Sequence, residues 1–340
     1  MDTNSRDRRI EKFMKKKILV FFDQDIVIRA FYQSGTIKQL ERYYEVTYIF
    51  PVDKSVSKKY INVLPERIGF KNFEEVSIRR SRMGVWYNYF LANLINNHRG
   101  KSTFQTIIDG KVKLEVSKKL YFFLRIVSFP LFIKIYNFIL LAILGSNKEI
   151  QKILKKHEPC VIIYPTVLSG PFVCELPREA KKLNIKSIFC MNSWDNPMSK
   201  AIPNFFPDYL IVWGKDSMQQ SIDLLKVPKD RIKCFGAAQF EIYKQKSLLS
   251  KTQLKNKFQV PNSKKYILYA GVGESHRETK YLKLLDEAIN KNILENCHVI
   301  YRPHPWRGSL QDGEENFFSL NFSHITMDPH MIQYYKNEIK

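Results

Sequence analysis

Two segments near the C-terminal end carry side chains that could bind phosphate. Residues 265–276 read KYILYAGVGESH and residues 297–307 read CHVIYRPHPWR, so each begins as an apolar run of strand type and then becomes small, basic or imidazole-bearing. An open α/β sheet binds phosphorylated ligands at the carboxyl ends of its strands. The two segments therefore predict a phosphate-binding half-site made of Gly271, Gly273, Glu274, Arg302, His304, Pro305 and Arg307.

The turn Arg302-Pro303-His304-Pro305 is the more specific half. Its two prolines fix the backbone on either side of a histidine. A rigid imidazole at a strand end can donate a hydrogen bond to a phosphate oxygen, while Arg302 or Arg307 supplies positive charge. The alternative is a hydrogen-bonded histidine in a purely structural turn.

The glycine loop is the less specific half. Gly271 and Gly273 permit close approach of a ligand to the backbone, and the N-terminus of the helix that follows presents free amides to an anion. The loop is neither a P-loop nor a complete dinucleotide fingerprint. An ordinary tight turn explains the same glycines, and Glu274 and Ser275 fit as helix caps.

A third group of polar side chains follows an earlier strand, in the segment MNSWDNPMSK at residues 191–200. The aromatic face of Trp194 and the hydrogen-bonding groups of Asp195 and Asn196 suit a sugar, a ribose or a base. Asp195 and Asn196 can equally form an Asx turn that starts the loop. We expect Lys200, and Gly236 at a further strand end, to line the same cleft, which would hold the acceptor.

Three carboxylates are candidates for a general base. Asp23 and Asp25 follow the first strand, and Asp195 lies in the loop just described. For at least one of the first pair, an N-cap of the following helix is the simpler role. No metal site is predicted, because the seven histidines show no ligand spacing with Cys, Asp or Glu.

These residues depend on alternating strands and helices, which predict an α/β chain with parallel sheets. A polar, lysine-rich stretch at 244–265 contains Pro261 and precedes a fresh strand, so we predict two Rossmann-like domains, 1–261 and 262–340. The predicted strands lie at 17–22, 46–50, 160–164, 185–191, 209–213, 232–236 and 266–270.

Composition limits the partners and the compartment. The chain has 55 Lys and Arg against 33 Asp and Glu, a formal charge of +22, so phosphorylated substrates or an anionic membrane surface fit. Nucleic acid fits less well, because the lysines are scattered and no nucleic-acid-binding motif accompanies them. The lysine excess can also reflect codon bias alone. Five separated cysteines predict buried, reduced thiols, and the charged N-terminus has no signal-peptide pattern, so we expect a cytoplasmic protein.

Residues 120–147 are the exception to this polar picture, because Arg125 and Lys134 are the only charged residues among many Phe, Leu and Ile. Charges and Pro130 interrupt the stretch too often for a convincing transmembrane helix. Two interpretations stay open. The stretch is either a helix pair at the membrane interface, peripheral on the inner face of the plasma membrane, or a pair of core helices.

Taken in order, these motifs resemble the GT-B-fold surface-carbohydrate and capsule glycosyltransferases related to the CDP-glycerol glycerophosphotransferases. The resemblance covers about residues 160–310 and rests on Trp194-Asp195-Asn196 with Ser199-Lys200, on PDYLIVWG at 207–214, on Gly236-Ala237 with Gln239-Phe240, and on Arg302-Pro303-His304-Pro305. It implies that His304 and Pro305 contact the phosphates of a nucleotide donor. The chain departs from the family in lacking a later segment that holds the donor ribose, so the C-terminal domain is expected to be incomplete.

The resemblance implies transfer of a glycosyl or polyol-phosphate group from a nucleotide-activated donor to a surface-polysaccharide precursor, with a glycan or lipid-linked acceptor and no cofactor. A nucleotide-sugar 2-epimerase of the same fold is one alternative. A non-catalytic or truncated glycan-assembly protein is the other.

Overall fold

A computed structural model describes residues 15–53, 69–170, 172–200, 205–244, 249–261, 263–272, 278–304, 311–312, 315–317 and 320–338. The chain forms two compact units, Met1–Gln245 and Lys246–Lys340. The predicted domain boundary near Pro261 thus lies inside the second unit, where the helix Lys251–Lys257 precedes the first strand.

The first unit is built on seven parallel strands in the order β3-β2-β1-β4-β5-β6-β7. β1 pairs with β2 on one side and with β4 on the other, so Val20 lies between Tyr48 and Ile163. The strands are β1 Lys17–Phe21, β2 Glu45–Asp53, β3 Phe73–Ile78, β4 Val161–Thr166, β5 Lys186–Met191, β6 Tyr209–Val212 and β7 Ile232–Cys234.

Apolar side chains on both faces of β1 explain why it is a central parallel strand. Leu19 and Phe21 belong to the core on one face, and Ile18, Val20 and Phe22 belong to the core on the other. A continuous apolar run of this kind is typical of strands that are covered on both sides.

Helices connect these strands. The α-helices are α1 Asp25–Ile28, α2 Arg80–His98, α3 Phe104–Ile107, α4 Lys113–Glu115, α5 Lys118–Val127, α6 Pro130–Leu144, α7 Lys148–His157, α8 Leu176–Lys182, α9 Asn196–Ser199 and α10 Lys215–Asp223. Arg29–Gln33 and Ile108–Val112 are π-helical, and Ile37–Arg42, Lys229–Arg231 and Ala238–Lys244 are 3₁₀ helices.

The second unit has a smaller parallel sheet in the order β12-β9-β8. Leu282 and Ile289 pack on Val299 and Tyr301 to form its core. The elements are α11 Lys251–Lys257, β8 Lys265–Ala270, α12 Glu278–Asn290, β9 Cys297–Arg302, the antiparallel pair β10 Gln311–Asp312 and β11 Glu315–Asn316, β12 Ile325–Met327 and α13 Pro329–Glu338. The predicted class, an α/β chain with two successive parallel sheets, is confirmed.

The cysteine prediction holds only in part. All five cysteines are free thiols, and Cys174, Cys190 and Cys297 are buried as expected. Cys160 and Cys234 are exposed, because the first lies just before β4 and the second ends the edge strand β7.

Candidate functional site

The first unit has a topological switch point between β1 and β4. Strands β2 and β3 extend from one side of β1, and β4 to β7 extend from the other. In open α/β sheets such a point leaves a crevice at the carboxyl ends of the strands, where ligands bind. Asp23 follows β1 and Gly170 follows β4, so both lie at this crevice.

Asp23 is a buried carboxyl group with 1% of its surface exposed. The hydroxyl of Tyr164 donates a hydrogen bond to Asp23 Oδ2, whereas Oδ1 has no hydrogen-bond partner among the described residues. Burial raises the pKa of Asp23 to about 7, against the opposing effect of the Tyr164 hydrogen bond. This carboxyl therefore gains or loses its proton near neutral pH, which suits an acid or base.

Gly170 makes this arrangement possible. Its φ is +119°, and a Cβ at this position would clash with Asp23 Oδ2 and lie 3.3 Å from the Tyr164 hydroxyl. A side chain would therefore displace the carboxyl group. Gly170 also lines a cavity, so the residue that lies against the Asp23 carboxyl group also borders a space where a ligand can bind.

The two other candidate bases lie in less unusual surroundings. Asp25 is partly exposed in the first turn of α1, where the helix N-terminus stabilises a negative charge. Gln24 is the N-cap and makes no side-chain cap bond, so the predicted capping role of Asp23 or Asp25 is wrong. The reason is that Asp23 turns inward to Tyr164. Asp195 is the N-cap residue of α9, also without a side-chain cap bond.

The cavity beside Gly170 has a volume of about 480 Å³ and an amphipathic lining. Its apolar wall comes mainly from α2, through Met83, Trp86, Tyr87, Phe90, Leu91 and Leu94. Its polar groups come from other parts of the first unit, through Lys111, Glu115, Ser169, Ser199 and Lys200. Such a lining can hold an amphiphilic ligand that has a ring or chain at one end and an anionic group at the other.

Among the predicted site residues that the structure describes, Lys200 lines this cavity. Burial, and then the neighbouring ammonium group of Lys111, lower the pKa of Lys200 to about 8, while Asp195 and Glu115 act in the opposite direction. Two adjacent amines attract an anion, which would relieve their mutual repulsion. Sequence reasoning missed Lys111 and Glu115, because they lie in a segment between α3 and α5 that has no clear strand or helix pattern.

The other predicted cleft residues do not join Lys200. Trp194 is exposed and lines a second cavity of about 300 Å³ with Trp213 and residues 214–217. Asn196 is buried, and its Oδ1 accepts a 2.9 Å hydrogen bond from the Ser193 amide, so it stabilises the turn. Gly236 has φ +80° and donates its amide to the Trp213 carbonyl at 3.1 Å. It lines neither cavity.

In the second unit, the Glu278 carboxylate lies against Gly271 and Val272, the first residues of the glycine loop. Glu278 is buried at the start of α12 and accepts hydrogen bonds from the Val272 amide and the Tyr301 hydroxyl. A Cβ on Gly271 would lie 2.7 Å from the Glu278 carboxylate. Gly271 is therefore required for the approach of Glu278, and the Val272 amide already has an anionic partner. Gly273 and Glu274 lie outside the described residues.

Arg302 lies at the carboxyl end of the second sheet, as predicted. Its Nη1 donates a 2.7 Å hydrogen bond to Asp328 Oδ2, and Asp328 is buried just after β12. About half of the Arg302 side chain remains exposed, at 51%. His304 follows two residues later and is partly buried. Pro305 and Arg307 lie outside the described residues.

Asp328 and Glu278 were not predicted as partners, because only the folded sheet brings them to residues far away in sequence. The segment that precedes Asp328, FSHITM at 322–327, mixes polar and apolar residues and so gave only a weak strand signal. Among the described residues, no group of three or more His, Cys, Asp or Glu side chains could hold a metal ion.

No protein-family model matches the chain, and no curated protein matches it. Several solved structures resemble it at low identity. UDP-GlcNAc 2-epimerase from Neisseria meningitidis, bound to UDP-GlcNAc, is 12% identical, with a TM-score of 0.42 over 95% of this chain and 76% of that one. S. aureus MnaA in a co-structure with UDP is 9% identical, with a TM-score of 0.46 over 95% and 71%.

A glycosyltransferase from Rickettsia africae is 12% identical, with a TM-score of 0.46 over 94% of this chain and 70% of that one.

Proposed function

We propose that this protein is a GT-B-type transferase that moves a glycosyl or polyol-phosphate group from a nucleotide-activated donor to a surface-polysaccharide precursor. The observation that carries the proposal is the amphipathic cavity at the switch point of the first sheet. It combines an aromatic wall, which suits the face of a sugar ring or a lipid chain, with the ammonium groups of Lys111 and Lys200. A phosphorylated glycan or lipid-linked acceptor has both features.

The second unit is proposed to bind the donor phosphates through Arg302 and His304. Asp328 fixes one nitrogen of the Arg302 guanidinium and leaves much of the side chain exposed. A guanidinium oriented in this way can donate further hydrogen bonds to phosphate oxygens. Its fixed positive charge would offset the charge that develops on the leaving phosphate, so the proposal includes no cofactor. Gly273, Glu274, Pro305 and Arg307 remain predicted members of this site.

Of the three candidate bases, Asp23 fits best. Its pKa of about 7 lies near the working pH, which is the condition for efficient proton transfer. Gly170 lies against its carboxyl group and also lines the cavity, so the proposal places the acceptor hydroxyl beside Gly170. Asp25 and Asp195 show no comparable combination of burial and position.

Thermal shift with CMP, CDP, UDP and GDP tests the proposal. A nucleotide that binds only the folded protein at about a hundred times its Kd adds about 2.7 kcal/mol of stability, which gives a clear rise in Tm. We expect one nucleotide diphosphate to produce this rise. No stabilisation by any of the four would favour a non-catalytic assembly protein. Conversion of a bound nucleotide sugar in the absence of any acceptor would identify a 2-epimerase instead.

A further inference from the structure

The helix pair α5 and α6 exposes an unusual number of large apolar side chains. Phe138 and Ile143 are 74% and 75% exposed, and only Leu124, Ile133 and Leu140 of the pair are buried. We call the exposed set the apolar face. It comprises Phe122, Phe123, Ile126, Phe129, Leu131, Phe132, Ile135, Phe138, Ile139 and Ile143. Two core helices would bury most of their large apolar side chains, so the pair does not fit that alternative.

Arginines from elsewhere in the first unit contact the residues at both ends of α6, so this helix is held in place. At the turn between the helices, Arg99 donates a 2.6 Å hydrogen bond to Ser128 Oγ and lies 3.9 Å above the Phe129 ring. At the end of α6, Arg82 Nη1 donates to the Leu144 carbonyl, and Arg178 donates to the Gly145 carbonyl at 2.8 Å. Exposure of the apolar residues is therefore built into the fold.

The charged residues within the helix pair and its flanking turns all have one sign. The segment from Val116 to Lys148 contains no Asp or Glu. Its five cationic side chains are all exposed: Lys118, Lys119, Arg125, Lys134 and Lys148. Long basic side chains beside apolar ones can reach anionic headgroups while the apolar side chains enter the lipid. This combination matches an anionic bilayer, whereas the contact face of a protein partner is usually depleted of lysine.

The length of α6 favours a position in the membrane interface over a span across the bilayer. α6 has 15 residues and is about 22 Å long, which is shorter than the roughly 30 Å hydrocarbon core of a bilayer. Within the described residues, no single helix is long and apolar enough to cross a membrane. α5 and α6 reach the required composition only together, and a 105° bend separates them.

We infer that the apolar face docks this protein onto an anionic membrane surface, with α5 and α6 lying in the interface and their four cations, together with Lys148 at the start of α7, contacting headgroups. This inference does not depend on the proposed transferase activity. If both hold, the protein meets lipid-linked substrates at the membrane.

Vesicle flotation tests the inference with the full chain. The vesicles contain phosphatidylcholine alone or phosphatidylcholine with phosphatidylglycerol. We expect the wild type to float with the anionic vesicles, more weakly as salt rises, and the double variant Phe138→Glu/Ile143→Glu to bind them at least about tenfold less. Ile293→Glu is the matched control, because Ile293 is equally exposed, at 71%, in the second unit. It should float like the wild type.

Three results would overturn the inference. The first is no binding of the wild type to anionic vesicles. The second is equal flotation of the double variant and the wild type. The third is a dimer, seen by light scattering, that the double variant abolishes while vesicle binding stays unchanged, because the apolar face would then be covered by a second copy. Circular dichroism spectra of all variants establish that each remains folded.

Discussion

A carboxyl group buried as deeply as that of Asp23 is costly unless it is neutral or well hydrogen-bonded. Tyr164 supplies a hydrogen bond to one oxygen, and the raised pKa keeps the group largely protonated below neutral pH. A residue without a function could be replaced by an apolar side chain at lower cost. At the residue scale, Asp23, Tyr164 and Gly170 therefore form one group in contact, and substitutions in it test the proposed base.

The raised pKa of Asp23 predicts a particular dependence of stability on pH. Below about pH 4 the group is protonated in both the folded and the unfolded state. Between about pH 4 and pH 7 the unfolded state loses the proton first, so the free energy of unfolding falls as pH rises, and above pH 7 this loss is complete. At about 1.36 kcal/mol per pKa unit, the loss is at most about 4 kcal/mol.

Asp23→Asn should remove this contribution. Urea unfolding across the pH range should show a smaller fall in the free energy of unfolding for Asp23→Asn than for the wild type. Asp230→Asn is the control, since Asp230 is exposed, and it should follow the wild-type profile. Parallel profiles for Asp23→Asn and the wild type would show that the carboxyl pKa is not raised.

Gly170→Ala should destabilise the protein by roughly 2–4 kcal/mol, because it adds both backbone strain and a clash with Asp23. Gly35→Ala separates the two effects. Gly35 also has a positive φ, +87°, but nothing lies within 4 Å of the position that a Cβ would occupy there, so only the strain remains. Equal losses in the two variants, measured by urea unfolding, would contradict the close approach of Gly170 to Asp23.

At the scale of the elements, hydrogen bonds to a buried carboxylate connect β8, α12 and β9. Glu278 at the start of α12 accepts from the Val272 amide after β8 and from the Tyr301 hydroxyl in β9. These bonds hold Val272 close to β9, and the Gly271 amide donates a 2.8 Å hydrogen bond to the Arg302 carbonyl. The position of the proposed phosphate site therefore depends on a residue that is not itself proposed to bind phosphate.

Tyr301→Phe should lower the free energy of unfolding by about 1.5–3 kcal/mol, the usual range for a hydrogen bond to a charged group. Tyr266→Phe in β8 is the control, because Tyr266 is partly exposed, and its change should be within about 0.5 kcal/mol. Thermal or urea unfolding measures both. Equal stability of Tyr301→Phe and the wild type would show that the hydrogen bond to Glu278 does not stabilise the second unit.

At the scale of the whole molecule, burial decides what the sequence could predict. Strands with both faces covered, such as β1 and β4, have unbroken apolar runs and were predicted to within a few residues. β3 was not, because FEEVSI mixes charged and apolar residues on an edge strand. The sequence pattern at residues 25–43 favours one continuous helix, but the structure breaks it, since Gly35 adopts a positive φ between the π-helix and the 3₁₀ helix.

The candidate sites were predictable only in part, because some of their residues come from segments that lie far apart in sequence. Strand-end residues such as Asp23 and Arg302 follow clear apolar runs, so their place at the sheet edge could be inferred. Their partners Tyr164 and Asp328 come from distant segments that only the strand order brings near. Lys111 and Glu115 line the amphipathic cavity but could not be predicted, because their segment has no strong periodicity. Sequence spacing also could not show that Lys200 and Trp194 line different cavities.

Calorimetric titration with the best-binding nucleotide diphosphate measures nucleotide binding at the second sheet. Arg302→Lys keeps a positive charge for Asp328 but removes the guanidinium donors, so binding should weaken roughly ten- to a hundredfold. His304→Ala should also weaken binding, whereas Arg231→Lys, an exposed arginine in the first unit, should leave it unchanged. Equal affinity in the wild type, Arg302→Lys and His304→Ala would contradict the account.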